Sequence, residues 1–218
     1  MAFFDLDNTL IGRQGALADW IRQFRDSHGL DEVSELKLHE ALSARAYRED
    51  FEWLRKQLGL AEPTERLWQS YVAGIAERVS PEHGVVGGLA DMRAAGWALV
   101  VVTNGAADIQ RAKLERTGLF DAFDAVCISD EVGARKPSRE IYEEAGRRCG
   151  LPLDGWMVGD NPITDIGGGR AAGLRTVWIS GGQQWPTGVR SPDKIAESAS
   201  EAIAHLLAWG CGRHSSAS

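Results

Sequence analysis

A chain of 218 residues with a net charge of −7, 44% hydrophobic and 25% charged residues has an ordinary globular balance, with room for one domain or a domain carrying an insertion. The acidic charge argues against a general nucleic-acid binder, which needs a basic face, and no run nears the roughly 18 to 20 apolar residues of a membrane span. Cys127, Cys149 and Cys211, odd in number and far apart, fit neither a disulfide framework nor a zinc site.

The first element is a short apolar run at residues 2 to 5 that reads as a buried strand. It begins too early to leave room for a removable leader, which predicts a cytoplasmic protein. The strand runs into Asp5-Leu6-Asp7-Asn8-Thr9-Leu10, and the i, i+2 spacing sends Asp5 and Asp7 to one side as the chain leaves the sheet. Two like charges so close need a cation or a shared proton. Oxygen ligands suit a hard divalent metal, and a metal beside a carboxylate suggests phosphate chemistry.

After a hinge at Ile11 to Gly15 the pattern becomes helical. Leu17, Trp20, Ile21 and Phe24 share a face that stops at Gly29. Asp31 caps a second helix expected through about Ala46, and a third, from about Asp50 to Leu58, carries Phe51 and Leu54. Pro63 opens a fourth, whose stripe of Leu67, Tyr71, Ile75 and Val79 ends at Pro81. Four successive amphipathic helices without a strand predict an inserted bundle.

From Glu82 onward strands and helices alternate. Strands are expected at Trp97 to Val102, Ala125 to Ile128, Trp156 to Val158 and Arg175 to Ile179. Helices are expected through Leu89 and Met92, at Asp108 to Thr117, from Ser138 to Cys149 and at Asp193 to Trp209, with a frayed tail from Gly210. This alternation implies a Rossmann-like α/β core with a parallel sheet, residues 1–12 and 82–218, interrupted by a helical module at 13–81. Ligands of such sheets sit outside the carboxyl ends of the strands.

Three later strand ends carry chemistry. Thr103-Asn104-Gly105 offers a hydroxyl and an amide at a turn. Lys136, in Ser129-Asp130-Glu131-Val132-Gly133-Ala134-Arg135-Lys136-Pro137, is placed at the mouth of the sheet. Gly159-Asp160-Asn161-Pro162-Ile163-Thr164-Asp165 returns two carboxylates toward one point. Gly167-Gly168-Gly169-Arg170-Ala171-Ala172 matches a dinucleotide-binding pattern in letters only. It does not directly follow a strand, so close helix-to-sheet packing is the expected use. By position alone, Arg13, Arg45 and Arg48 could meet an anionic substrate.

The segments DLDNTL, VVTNG, SDEVGARKP and GDNPITD, in this order, resemble the four motifs of the haloacid dehalogenase (HAD) superfamily, and the helical insertion sits where members with a type 1 cap carry theirs. The resemblance implies an Mg²⁺-dependent phosphatase acting on a small phosphorylated metabolite such as a sugar phosphate, a phosphoglycolate-like ester or a nucleoside monophosphate. Asp5 would be the nucleophile and Asp7 the acid and base. Asp5, Asp7, Asp160 and Asp165 would hold the metal, Asp7 through its main-chain carbonyl, while Thr103, Asn104 and Lys136 would bind the phosphate. The 2-haloacid dehalogenases lack an acid at the position of Asp7, which favours phosphate chemistry here. A sugar-phosphate mutase shares the same core residues. A phospho-accepting signalling domain or an inactive scaffold is the alternative of another class, disfavoured by the N-terminal DxD and by the presence of Asp5, Asp7 and Lys136 together.

Overall fold

The computed structural model describes residues 1–214. Its centre is β1 (Ala2–Phe4), every residue of which is fully buried, and which is flanked by β2 (Leu99–Thr103) and β4 (Trp156–Gly159) with Ala2 opposite both Leu99 and Trp156. β3 (Ala125–Ile128) lies outside β2, while β5 (Arg175–Ile179) and β6 (Lys194–Ala196) extend the other side. The order is β3-β2-β1-β4-β5-β6, all parallel. Parallel neighbours need crossovers, which cover both faces.

The pleat sorts the core. Phe3, Val100, Val102 and Met157 face Ile141 and Tyr142 of α8 (Arg139–Cys149), whereas Phe4, Val101, Val158 and Val177 belong to the opposite cluster. That second cluster takes in α5 (Val85–Ala94) and α10 (Ala199–His214), through Leu89, Met92, Ile203 and Leu206. α6 (Ala107–Arg116) links β2 to β3, and the short α7 (Ser129–Val132) and α9 (Gly168–Ala171) follow β3 and β4. The glycines of α9 are there for space: a Cβ on Gly168 would lie 2.8 Å from Pro137, and one on Gly169 2.6 Å from Met157. Among the described residues no helix is long and apolar enough to cross a membrane.

Between β1 and α5 the chain makes four helices, α1 (Arg13–His28), α2 (Glu32–Leu42), α3 (Arg48–Gln57) and α4 (Thr64–Arg78). They pack around Trp20, which stacks on Phe24 at 4.8 Å and meets Tyr71 edge-on at 5.0 Å. Gly74 on α4 makes this possible, since a Cβ there would come within 2.4 Å of the indole. An antiparallel bridge between Ile11 and Pro81 brings the outgoing and returning chains side by side. The insertion meets the sheet domain chiefly through α4 on α6, where Trp68 Nε1 donates to Asp108 at 2.6 Å.

Three expected boundaries are corrected. α2 ends at Leu42, short of Ala46, because the buried Arg13 guanidinium donates to the Leu42 and Ser43 carbonyls at 2.6 and 2.7 Å and satisfies the helix end from outside. The helix expected from Asp193 begins instead as the edge strand β6. Asp193 accepts from the main chain and hydroxyl of Thr176 at 2.8 and 2.9 Å, which pins the segment beside β5. The final helix continues to His214, past the expected fraying point at Gly210; residues 215–218 lie outside the described residues.

Candidate active site

The carboxyl ends of β1, β2 and β4 converge, with β2 and β3 on one side of β1 and β4 to β6 on the other, so the strand order reverses there. A cavity of about 220 Å³ opens at this point. Asp5, Asp7, Thr103, Asn104, Lys136, Asp160 and Asp165 all line it from the sheet. Arg13, Tyr71 and the segment 43–47 line it from the insertion.

One half of the site centres on Lys136. Its ammonium is buried and lies 2.5 Å from Asp5 Oδ1 and 2.7 Å from Asp165 Oδ1. Burial alone would lower the lysine, yet Asp165 and Asp5 override it and hold it charged, above its ordinary value. Asn104 brackets the Lys136 main chain, donating from Nδ2 to its carbonyl at 3.0 Å and accepting its N–H on Oδ1 at 2.9 Å. Asp165 folds back because of Gly159, where a Cβ would sit 2.4 Å from Asp165 Oδ2. Asn161 caps the turn between them by accepting from the N–H groups of Ile163 and Thr164, and its own N–H donates to Asp165.

Carboxylate oxygens of Asp5, Asp160 and Asp165 lie within 4.8 Å of one another. Burial pushes the Asp5 carboxyl well up; Lys136 pulls it back only in part, and Asp165 and Asp160 add to the rise. Burial, then Asp165, raises Asp160 to about 6. Three carboxylates sharing one ammonium leave a deficit of positive charge, and an all-oxygen donor set of this kind fits a hard divalent cation. The side chain of Asp7 is not part of that cluster.

The other half centres on Asp7. β1 ends at Phe4, so the strand pleat does not reach Asp7, and the two carboxylates turn to different partners. Lys113 Nζ donates to Asp7 Oδ1 at 2.8 Å and Oδ2 at 2.9 Å, and Gln110 Nε2 approaches Oδ2 at 3.3 Å. Burial raises Asp7, but Lys113 and then Arg13 outweigh it and bring the carboxyl below its ordinary value. Gln110 also donates to Thr103 Oγ1 at 2.6 Å. Neither Gln110 nor Lys113 was among the residues expected from the sequence. Their signal was the register Ala106, Ile109, Gln110, Lys113, Leu114, an inward helical stripe with two polar residues in core positions.

The three arginines separate. Arg13 is buried as the strap on Leu42 and Ser43, and Arg48 pairs with Glu65 at 3.2 Å away from the cavity. Arg45 is exposed, lines the cavity and lies over the Tyr47 ring at 5.5 Å.

A sequence model described as haloacid dehalogenase-like hydrolase matches residues 2–179, a span that includes the ends of β1, β2 and β4 that converge on the cavity. The chain belongs to this family. Among curated relatives, the glyceraldehyde 3-phosphate phosphatase of Methanopyrus kandleri is 31% identical over 209 residues, 89% of each chain. The phosphoserine phosphatase of Thermus thermophilus is 43% identical over 106 residues, which span 48% of this chain and only 43% of that protein. The fold of this HAD hydrolase matches the HAD-hydrolase YfnB from Bacillus subtilis, a structure bound to magnesium, with a TM-score of 0.73 at 22% identity over 95% of this chain and 97% of that one.

Proposed function

We propose that this hydrolase is an Mg²⁺-dependent phosphatase of a small phosphorylated metabolite, working through an aspartyl-phosphate on Asp5, with residues 13–81 acting as its cap. The observation that carries the reading is the grouping of the buried Asp5, Lys136 and Asp165 with the half-buried Asp160, with Asp7 close by on a separate set of partners. Asp5, Asp160 and Asp165, with the main chain of Asp7, would hold the cation. When bound, Mg²⁺ supplies neutralisation of phosphoryl and carboxylate charge. Lys136 and the Thr103 hydroxyl would bind phosphoryl oxygens. Because Thr103 already accepts from Gln110, its own proton can be directed to the substrate. Asn104 contributes by fixing the main chain of Lys136.

In the first half-reaction a carboxylate oxygen of Asp5 attacks phosphorus in line and the ester P–O bond breaks; Asp7, which Lys113 holds ionised in the free protein, enters this step with the proton it took from water in the preceding turnover and gives it to the departing alkoxide. In the second, Asp7 takes a proton from water, whose oxygen attacks the phosphorus and releases Asp5 and inorganic phosphate. The cavity volume and the relatives named for glyceraldehyde 3-phosphate and phosphoserine support a small ester.

The test is hydrolysis of p-nitrophenyl phosphate by the purified chain, with Mg²⁺ and with chelator, followed by a panel of phosphorylated metabolites. Turnover should require the cation and vanish in Asp5→Asn while the circular dichroism spectrum stays native. Full activity in chelator, or in that variant, would sink the mechanism.

A further inference from the structure

We propose that Lys113, seated by Gln110, is the positioning residue for Asp7, fixing the carboxyl that serves the leaving group; the inference rests on the phosphatase reading. An ammonium has three N–H donors. Lys113 directs them at Asp7 Oδ1, Asp7 Oδ2 and Gln110 Oε1, at 2.8, 2.9 and 2.7 Å. No donor is left over for a phosphoryl oxygen, so Lys113 acts on the substrate through Asp7.

Asp7 needs such a restraint. It lies past the last residue of β1, in a turn whose next residue, Asn8, has φ 58°, so no sheet ladder sets its side chain. Two N–H groups on the two oxygens of one carboxylate fix its plane as well as its position. The seat is rigid in turn. Lys113 is buried in the inward stripe of α6 between Ile109 and Leu114, and Gln110 ties it to Thr103 Oγ1 at 2.6 Å. α6 thereby sets the carboxyl that handles the leaving group and the hydroxyl that meets the phosphoryl group from one rigid surface. A buried ion pair is weak evidence for stability, because desolvating both charges offsets most of their attraction. Its lasting effect here is the geometry of Asp7.

A proton donor placed with this accuracy matters in proportion to the basicity of the leaving oxygen. p-Nitrophenolate departs with little help, whereas phenolate needs more. The experiment is kcat/KM of the Mg²⁺-loaded enzyme on p-nitrophenyl and phenyl phosphate for wild type, Lys113→Met, Lys113→Arg, Asp7→Asn and the Lys113→Met/Asp7→Asn double variant. Lys113→Met should lower the phenyl value at least about tenfold more than the p-nitrophenyl value, the pattern of Asp7→Asn, with Lys113→Arg restoring part of that ratio. In the Asp7→Asn background the lysine change should add less than about threefold.

Equal losses on both esters, or a full further loss in the double variant, would make Lys113 a merely structural residue and overturn the proposal. If Lys113→Met fails to fold, Gln110→Leu, which keeps the ion pair but removes its third anchor, should shift the same ratio by about threefold or more; an unchanged ratio there overturns it as well. Wild-type enzyme inactive on both esters would overturn the phosphatase reading, and the positioning role with it.

Discussion

Two buried lysines face two carboxylates two residues apart, and their surroundings are opposite in charge. Lys136 alone serves Asp5 and Asp165, with Asp160 close by, so its half of the cavity is short of positive charge. Lys113 serves Asp7 alone, with Arg13 adding a second cation nearby, so that half is compensated from within the protein. The first half calls for an added cation and the second does not. Similar side-chain chemistry therefore does different work, with one lysine in a set that must recruit charge and the other in a set that only holds geometry.

The sharpest way to break this contrast is at its two carboxylates. Asp5→Asn should reduce kcat by at least about 10⁴-fold, because the nucleophile is gone while the oxyanion-stabilising groups remain. Lys136→Met should come next in effect. It leaves Asp5 and Asp165 facing each other, with an expected loss of about 3–5 kcal/mol in chelator, measured by urea unfolding. The same experiment on Lys113→Met should show a smaller loss, about 1–3 kcal/mol, since Arg13 stays near Asp7. Equal losses would dissolve the distinction.

The contrast also has a pH signature. Burial, and then Asp165, hold Asp160 at about 6 in the cation-free protein. A carboxyl raised in this way binds its proton more tightly folded than unfolded. The resulting stability is fully present below the ordinary carboxylate range and is lost as pH rises through about 6. The melting temperature in chelator should therefore fall between about pH 5 and about pH 7, and Mg²⁺ should restore it at the upper end. A flat profile would mean that the three carboxylates are not in the competition described. The smallest effect is expected at the strap. Arg13→Gln should loosen residues 42 to 47 and raise KM about three- to tenfold, with kcat changing less, in steady-state assays.

Much of this site was legible in the chain because strand ends in a parallel sheet have a recognisable grammar. A buried apolar run followed by Asp5, Thr103 or Gly159-Asp160 marks where chemistry can emerge, and the structure brings Asp5, Thr103, Asp160 and Lys136 to one cavity. Gln110 and Lys113 escaped notice because they occupy apolar positions of a helical stripe, and a polar residue there acquires meaning only when its partner is known. β6 escaped because only Ala196 of its three residues is buried; its pairing is set by Asp193 reaching Thr176, a contact between residues 17 apart. The end of α2 was misplaced for the same reason, since Arg13 terminates it from 29 residues away. Local pattern reports what a residue prefers, and these two boundaries were decided by what a distant residue supplied.

Gly159 has a consequence for how this sequence can change. It bears no functional group, and a single methyl at its Cα would occupy the space 2.4 Å from Asp165 Oδ2, where no atom of a relaxed structure can stand. Aspartate 165 could then be chemically intact and still be expelled from its place. A survey of substitutions would thus find one of its most intolerant positions at a residue that no inventory of reactive side chains contains, and Gly159→Ala would imitate the loss of Asp165 without altering the carboxylate.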